Sequence, residues 1–150
     1  MMIAAPLLAL TGAAPAHAAP VYPFCTVTGG PETTAPVING TSGPDTIVCR
    51  SATGEPQTAT INLLGGNDTF RYQDQLIPSE WTINGRDGDD RFLGNGHAVF
   101  PSKYDATVNT GNGNDTFAIH NRWGQVSTGS GNDTVTGNNE KAGAFSELEG

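Results

Sequence analysis

The sequence has little of what normally builds a large hydrophobic core. Leu, Ile, Val and Phe together make up 29 of its 150 residues. That share, about 19%, lies just under the level below which a strongly charged chain is suspected of disorder. Glycine contributes 20 residues and proline 10. This composition excludes a helical bundle and leaves two interpretations: a disordered acidic chain, or a fold that something other than apolar burial stabilises.

Positive charge is also scarce. Seven Lys and Arg residues stand against fifteen Asp and Glu residues, which gives a formal net charge of −8. Such an excess disfavours nucleic acid and anionic membrane surfaces as partners and favours cations. The longest apolar run, Ile3 to Leu10, is too short to cross a bilayer as a helix. We therefore expect no nucleic-acid partner and no membrane insertion.

The first twenty residues carry no charged side chain and have the order of a secretory signal peptide. The apolar run is followed by small residues and by an Ala-His-Ala cleavage site at positions 16–18. We expect cleavage after Ala18, which removes residues 1–18, and a secreted mature protein. The alternative is a disordered Ala/Pro-rich tail, and the lack of Lys or Arg near Met1 departs from the usual signal pattern.

Cysteine is limited to Cys25 and Cys49. In an oxidising extracellular compartment we expect the two to form a disulfide. The bridge would attach an N-terminal cap segment, residues 19–37, to the region that begins near Asp45. On the chain-entropy model it would stabilise the fold by roughly 3–4 kcal/mol. Two unpaired thiols are the alternative, and two cysteines alone make a poor zinc site.

Residues 38–150 contain a ten-residue pattern in five copies, which we call units 1 to 5. Each unit has an aspartate, a glycine two residues before it, an apolar residue two after it and a branched apolar residue seven before it. The intervals between aspartates vary from 18 to 25 residues, whereas the pattern itself holds without a gap. Chance does not keep four positions in step through five copies. The units span Ile38–Ile47, Ile61–Phe70, Ile83–Phe92, Val108–Phe117 and Val126–Val135.

Each unit has the composition of a strand, a tight turn and a second strand. β-Branched and aromatic residues flank a Gly-x-Asp segment, and glycine supplies the backbone conformations that such a turn requires. Repeats of this length stack because none can bury its apolar face alone. Stacking brings the Gly-x-Asp turns into one row along a constant edge, while the inserted loops fall on the opposite edge.

A row of aspartates predicts a cation site. Carboxylates one strand spacing apart, about 4.8 Å, repel each other unless they are protonated or a cation lies between them. Carboxylates and turn carbonyls form an irregular oxygen cage, which suits Ca²⁺ better than Mg²⁺, and acid below about pH 4 should release the ion. The alternative is a structural solenoid with asparagine ladders and no ion.

The five segments resemble the glycine-rich nonapeptide GGxGxDxUx of hemolysin-type, or repeat-in-toxin, calcium-binding proteins. The resemblance covers Ile38 to Val135 and implies an all-β, right-handed parallel β-roll, or β-solenoid, with Ca²⁺ held between successive turns. Asp87, at the variable position of unit 3, adds a candidate oxygen. Carried over by position, the ligand aspartates are Asp45, Asp68, Asp90, Asp115 and Asp133, and the glycines before them are Gly43, Gly66, Gly88, Gly113 and Gly131.

The sequence departs from that family in three respects. The first consensus glycine is present only at Gly40 and Gly85 and the second only at Gly111 and Gly129, so unit 2, with two leucines there, is the weakest candidate. One copy of the motif per coil predicts ions along one edge only. The family commonly exports through a C-terminal signal, whereas the signal here is N-terminal, which argues against a direct toxin role.

No pattern in the sequence indicates catalysis. There is no nucleophile elbow, phosphate loop or isolated carboxylate pair, and residues 87–90 lack the later glycine and glutamate of an EF-hand. His97 and His120 have no partner pattern, and the Asn-x-Thr sequons are by-products of the repeat. We expect Tyr72, Trp81 and Trp123 to cap a thin core, and no cofactor other than Ca²⁺.

Together these patterns predict a secreted calcium-binding repeat protein, a structural or binding module that folds when Ca²⁺ binds. The alternatives are the non-catalytic β-roll part of a larger secreted enzyme and an adhesin segment. A regular row of exposed threonines on one face would favour the adhesin, and the variable loop lengths argue against it. A cell-surface or polysaccharide partner stays open. Leu148 has the spacing of a sixth lead-in residue, so we expect the chain to stop inside a sixth unit.

Overall fold

The computed structural model describes residues 22–50, 58–73, 80–94, 107–118 and 125–136. Over these residues the protein is all-β, with twelve strands and no helix. Within them, accordingly, no helix is long and apolar enough to span a membrane. The expected signal peptide, His97, His120, the expected core cap Trp123 and the expected sixth unit at Leu148 lie outside the described residues.

The strands are short and follow one another closely along the chain. Their bounds are β1 (Phe24–Val27), β2 (Thr33–Thr34), β3 (Val37–Asn39), β4 (Thr46–Arg50), β5 (Thr58–Gly65), β6 (Thr69–Tyr72), β7 (Glu80–Asp87), β8 (Arg91–Gly94), β9 (Thr107–Asn112), β10 (Thr116–Ala118), β11 (Gln125–Ser127) and β12 (Thr134–Val135).

Two sheets share these strands, and from β3 onward consecutive strands alternate between them. The five-stranded sheet has the order β11-β9-β7-β5-β3 and all its pairings are parallel. The seven-stranded sheet has the order β12-β10-β8-β6-β4-β1-β2 and is parallel except at β1, which pairs antiparallel with both β2 and β4. In every unit the strand before the Gly-x-Asp turn therefore lies in the five-stranded sheet, and the strand after it lies in the seven-stranded sheet.

The pairing register confirms the alignment of the five units. In the five-stranded sheet, Ile61 lies opposite Ile38 on one side and Ile83 on the other, and the series continues through Val108 to Val126. In the seven-stranded sheet the same holds for the apolar residues after the turns, Ile47, Phe70, Phe92, Phe117 and Val135. Equivalent residues of neighbouring units are thus stacked directly on each other.

The core is a thin layer between the inner faces of the two sheets. Buried and more exposed residues alternate along β4, β5 and β7, as expected for strands with one buried face. The rings of Phe92 and its two neighbours in the stack, Phe70 and Phe117, have centroids 6.5 and 6.4 Å apart. Tyr72 and Trp81 are buried and in edge-to-face contact, with centroids 5.4 Å apart. They lie at the end of the core away from the turns, in agreement with the capping role expected for them.

The predicted disulfide is confirmed. Cys25 in β1 lies directly opposite Cys49 in β4, both side chains are fully buried, and their sulfur atoms are bonded. The guanidinium of Arg50 lies 4.3 Å from the ring centroid of Phe24 and forms an ion pair with Glu32 at 2.9 Å. β1 and β2 thereby cover the edge of the seven-stranded sheet next to unit 1.

An asparagine ladder runs along the outer face of the five-stranded sheet. The amide of Asn62 donates to the side-chain oxygen of Asn39 at 2.8 Å, and the amides of Asn84 and Asn109 continue the series at 2.9 Å each. Such ladders stabilise in-register parallel stacking because each side chain pairs with the identical one in the next strand. The ladder lies on a sheet face and not in the turns.

The backbone of the turns adopts left-handed conformations in four consecutive units. The relevant φ angles are 84° at Leu64, 86° at Arg86, 113° at Gly111 and 74° at Gly129. These four residues occupy the position of the second consensus glycine. Units 2 and 3 thus adopt the left-handed conformation with Leu64 and Arg86, although glycine adopts it at a lower free-energy cost.

We expect Arg86→Gly to stabilise the folded protein by about 1 kcal/mol, because it removes the Cβ that disfavours a positive φ. The midpoint of thermal unfolding should rise by about 2–4 °C. Arg86→Ala is the matched control, since it removes the same exposed charge and keeps the Cβ. Equal midpoints for the two variants would mean that the charge, and not the backbone conformation, determines the effect.

Candidate metal site in the aspartate row

The five motif aspartates lie in one row inside the stacked turns. Asp68, Asp90 and Asp115 are almost completely buried, with exposed fractions of 1%, 0% and 1%. Asp45, at the unit 1 end, is 6% exposed, and Asp133, at the unit 5 end, is half-buried. The row is therefore an interior feature of the turns and not a set of surface carboxylates.

A ladder of hydrogen bonds connects these aspartates. In each step the backbone N–H of one aspartate donates to Oδ1 of the aspartate in the next unit. The N···Oδ1 distances are 2.7 Å from Asp45 to Asp68, 2.9 Å from Asp68 to Asp90, 2.8 Å from Asp90 to Asp115 and 2.8 Å from Asp115 to Asp133. One oxygen of every carboxylate beyond unit 1 thus fixes the stacking of two successive turns.

The second oxygen of the central carboxylates is left without a partner. Oδ2 of Asp68, Asp90 and Asp115 is buried and accepts no hydrogen bond within the described residues. A buried polar atom in this state costs about 1–3 kcal/mol, and more when it is charged. Like charges one unit apart add to that cost. With its carboxylates ionised and no cation bound, the row would consequently destabilise the folded state.

The surroundings of Oδ2 differ between units. In unit 3 a Cβ added to Gly85 would lie 2.6 Å from Oδ2 of Asp90. A larger residue at this position would therefore displace the Asp90 carboxylate. Units 4 and 5 have the buried Thr110 and Thr128 at the equivalent position. The Thr110 hydroxyl donates to the Thr128 carbonyl at 2.6 Å, and its interaction with the Asp115 carboxyl group partly opposes the rise in the pKa of that group.

The pKa values of these carboxyl groups follow from burial and from their neighbours. Burial raises the pKa of Asp68 and of Asp115 above the usual value. Burial, with the charges of Asp68 and Asp115, raises the pKa of Asp90 to about 7, against the opposing effect of the Asp68 N–H. The centre of the row is thus the place where a bare carboxylate is least stable.

Asp45 differs from the other members of the row. Its Oδ1 accepts a hydrogen bond from the Thr28 hydroxyl, and its Oδ2 accepts from both the N–H and the hydroxyl of Thr41. Burial acts to raise the pKa of Asp45, but these hydrogen bonds outweigh it and lower the pKa below its usual value. Protein donors alone satisfy this carboxylate.

Asp87 lies outside the buried row. Its exposed carboxylate accepts from the amide of Asn112 at 2.8 Å, and the Ser130 hydroxyl donates to Asn112 in turn at 2.7 Å. The structure therefore brings together the five motif aspartates, while the sixth predicted ligand belongs to a separate series on the solvent side of the turns.

A second exposed series was not foreseen. The residues just before the motif aspartates donate from their backbone N–H to the side-chain oxygen of the unit before, with N···O distances of 2.7–3.0 Å. The sequence did carry a signal for it, because an Asn or Asp recurs at this position in units 2 to 5. The members are Asn67, Asp89, Asn114 and Asn132.

The predicted motif glycines act through their backbone. Gly66, Gly88, Gly113 and Gly131 all have positive φ. A Cβ on Gly88 would lie 1.8 Å from the carbonyl oxygen of Gly66, and the same close approach repeats in units 4 and 5. Gly43 of unit 1 is different, since a Cβ there would meet no atom closer than 4.0 Å. From unit 2 onward these glycines are required for the turns to stack.

The donor set fits a hard divalent cation in part. Orphaned carboxylate oxygens are hard ligands, and a cation would neutralise the charge that burial disfavours. Among the residues that the structure describes, however, no three His, Cys, Asp or Glu side chains converge on a point that could hold a metal ion. An ion at this row would therefore rely on backbone carbonyls for most of its ligands.

No protein-family model, curated protein or solved structure matches this chain.

In metal-free buffer we expect the folded fraction to decrease as the pH rises from 5 to 8. The pKa of Asp90 is raised to about 7 in the folded state, so this carboxyl group keeps its proton over an interval in which the unfolded chain has lost it, and stability falls as the pH rises through that pKa. The raised pKa values of Asp68 and Asp115 act in the same direction. Asp45, with a lowered pKa, acts in the opposite direction below about pH 4. Circular dichroism at a series of pH values measures the effect.

The matched variants for this prediction are Asp90→Asn and Asp87→Asn. The first should flatten the pH profile, because a neutral amide replaces the buried carboxyl group. The second removes an exposed carboxylate of the same unit and should leave the profile unchanged. A folded fraction that increases from pH 5 to 8 in the wild type would contradict the raised pKa values.

Proposed function

We propose that the chain is a secreted, non-catalytic calcium-binding repeat protein of the repeat-in-toxin type. In this proposal it is a right-handed β-roll whose Gly-x-Asp turns bind Ca²⁺ along one edge. The observation that carries the proposal is the buried row of Asp68, Asp90 and Asp115, whose second carboxylate oxygens have no partner within the described residues. A cation beside the row would provide the missing contacts.

Calcium is the cation that suits this row best. The candidate ligands are carboxylate and carbonyl oxygens, which are hard donors, and irregular oxygen cages favour Ca²⁺ over the strictly octahedral Mg²⁺. Asp68, Asp90 and Asp115 would hold the ions, with turn carbonyls completing the shell. The bound ions would neutralise the buried carboxylates and make the folded state dependent on metal. A formal net charge of −8 favours cation uptake in general.

Secretion is supported by the disulfide and by the order of the first eighteen residues. A buried Cys25–Cys49 bridge that joins two paired strands is typical of proteins from oxidising compartments. Extracellular calcium is also abundant enough to load sites of modest affinity.

The main competitor is a turn row without ions, in which the central carboxyl groups are simply protonated. The N–H···Oδ1 ladder is compatible with that state, because Oδ1 needs no charge to accept a hydrogen bond. The two explanations differ in what Ca²⁺ does at neutral pH, where a carboxyl group with a pKa of about 7 is partly ionised. A substitution at the centre of the row therefore separates them.

We expect Asp90→Asn to have opposite effects with and without calcium. In chelator at pH 7.5 it should increase the β-structure seen by circular dichroism, because it keeps the Oδ1 acceptor and removes a buried charge. In millimolar Ca²⁺ it should reduce β-structure relative to the wild type and weaken apparent binding at least tenfold, because a ligand is lost. For the wild type we expect mostly coil in chelator and β-structure after Ca²⁺ is added.

Two outcomes would count against the calcium proposal. One is a wild type that is folded to the same extent in chelator and in Ca²⁺. The other is an Asp90→Asn variant that is more stable than the wild type under both conditions, which is the behaviour of a row without ions. Asp87→Asn serves as the control, since its carboxylate lies outside the buried row and should change neither measurement by more than about twofold.

A second candidate function is an adhesin segment, and the observation on its side is the register of threonines on the outer faces of the sheets, most of which are half-buried. Thr60, Thr82 and Thr107 are in register on the five-stranded sheet, beside the asparagine ladder. Thr46, Thr69, Thr116 and Thr134 are in register on the other sheet, with Arg91 in unit 3. Calcium-dependent cosedimentation with an insoluble polysaccharide would support an adhesin, and its absence with cellulose and chitin would argue against this candidate.

A further inference from the structure

The unit 1 end of the aspartate row is closed by a segment that is not part of the repeat. Every later aspartate receives an N–H from the unit before it, but Asp45 has no such unit. The Thr28 hydroxyl takes that place and donates to Oδ1 of Asp45. Thr41 donates twice to Oδ2, the oxygen that is left orphaned in units 2 to 4. Asp45 is thereby the member of the row with protein donors on both oxygens.

Thr28 is held in position by several independent contacts. It follows β1 directly, its N–H donates to the Thr46 carbonyl at 2.8 Å, and its hydroxyl accepts from the Thr46 N–H at 3.4 Å. β1 is attached to β4 through the Cys25–Cys49 disulfide and pairs with it over four residues. The hydroxyl that contacts Asp45 is thus placed by a covalently fixed strand.

The backbone of Thr28 supports a specific role for this side chain. Its φ is 46°, a left-handed conformation that is rare for a β-branched residue and costs on its own. Strain of this kind persists where the surrounding structure over-determines a residue, often for a purpose. Here the conformation directs the hydroxyl to the one carboxylate that lacks a preceding unit.

We infer that residues 24–34 form a built-in cap that, together with Thr41, satisfies Asp45 in place of a metal ion at the first turn, so that unit 1 folds without calcium and ions bind only from unit 2 onward. The inference rests on the proposed function and explains why its ligand aspartates begin at Asp68 and not at Asp45. It assigns Thr28 and Thr41 as positioning residues that satisfy Asp45 from within the chain.

The cap also gives stacking a starting point. Unit 1, attached to β1 by the disulfide, presents β3 and β4 as edges on which β5 and β6 pair in register. It also presents the Asp45 N–H that Oδ1 of Asp68 accepts. Because each unit contacts mainly its neighbours, order propagates along the stack from a folded end. Calcium would then extend a structure that already exists at unit 1.

Hydrogen exchange of the full-length secreted protein tests the cap directly. In chelator at pH 7.5 we expect the amides of β1 and β4 to be protected at least tenfold more than those of β7 to β10, and added Ca²⁺ should protect both groups. Reduction of the disulfide should abolish the protection of β1 and β4 in chelator. Exchange of β1 and β4 as fast as that of β7 to β10 in chelator would overturn the inference.

Substitutions provide the second test. Thr28→Val removes the hydroxyl and should lower the protection of β4 in chelator about tenfold or more, since it deletes a hydrogen bond to a charged group. Thr34→Val is the matched control, because Thr34 is an exposed residue of the cap with no role at Asp45. Equal loss of protection in both variants would contradict the assignment of Thr28.

Native mass spectrometry in Ca²⁺ separates the cap from the ion sites. Asp45→Asn should retain the wild-type number of ions, whereas Asp90→Asn should lose at least one. Loss of an ion in Asp45→Asn would overturn the inference and restore Asp45 as a ligand. A wild type that binds no calcium would defeat the proposed function, while the exchange pattern in chelator would still decide whether residues 24–34 fold with unit 1.

Discussion

Burial of a line of carboxylates is the constraint on which the rest of this structure depends. The same aspartates that fix the spacing of the turns, by accepting an N–H from the neighbouring unit, also place negative charge where water does not reach it. The thin core between the sheets offers limited apolar burial to offset this. Neutralisation of Asp68, Asp90 and Asp115 in the turns therefore adds to the stability that the hydrophobic layer provides.

Much of the architecture could be predicted because it repeats. A pattern held in step through five copies determines which residues stack, and the pairings of Ile61 and Phe92 with their counterparts agree with it. The disulfide followed from two cysteines in a chain with the pattern of an exported protein. What repetition could not show is which way a side chain points. The sequence makes Asp90 a ligand at the motif position and Asp87 an additional candidate at the variable position, and it does not show that Asp87 is exposed whereas Asp90 is fully buried.

The contacts that sequence reasoning missed arise where the repeat is broken or where polar residues serve the stack. Thr28 belongs to a segment without the motif and meets Asp45 only because β1 runs antiparallel to β4, a contact that no spacing rule foretells. The asparagine ladder was considered only as an alternative for the turns, whereas Asn62 and Asn84 form it on a sheet face. The absence of glycine at Leu64 makes unit 2 the weakest candidate by sequence, although Leu64 has the positive φ of its glycine counterparts.

The two hydrogen-bond ladders of the turns run in opposite directions. The buried one donates from each unit to the next, as from Asp68 to Asp90, and the exposed one donates back, as from Asp89 to Asn67. Toward each of its two neighbours, an internal unit therefore donates a hydrogen bond in one ladder and accepts one in the other. Removal or duplication of a whole internal unit would leave both ladders continuous, so the ladders do not determine the number of units, whereas unit 1 depends on Thr28 at its open end.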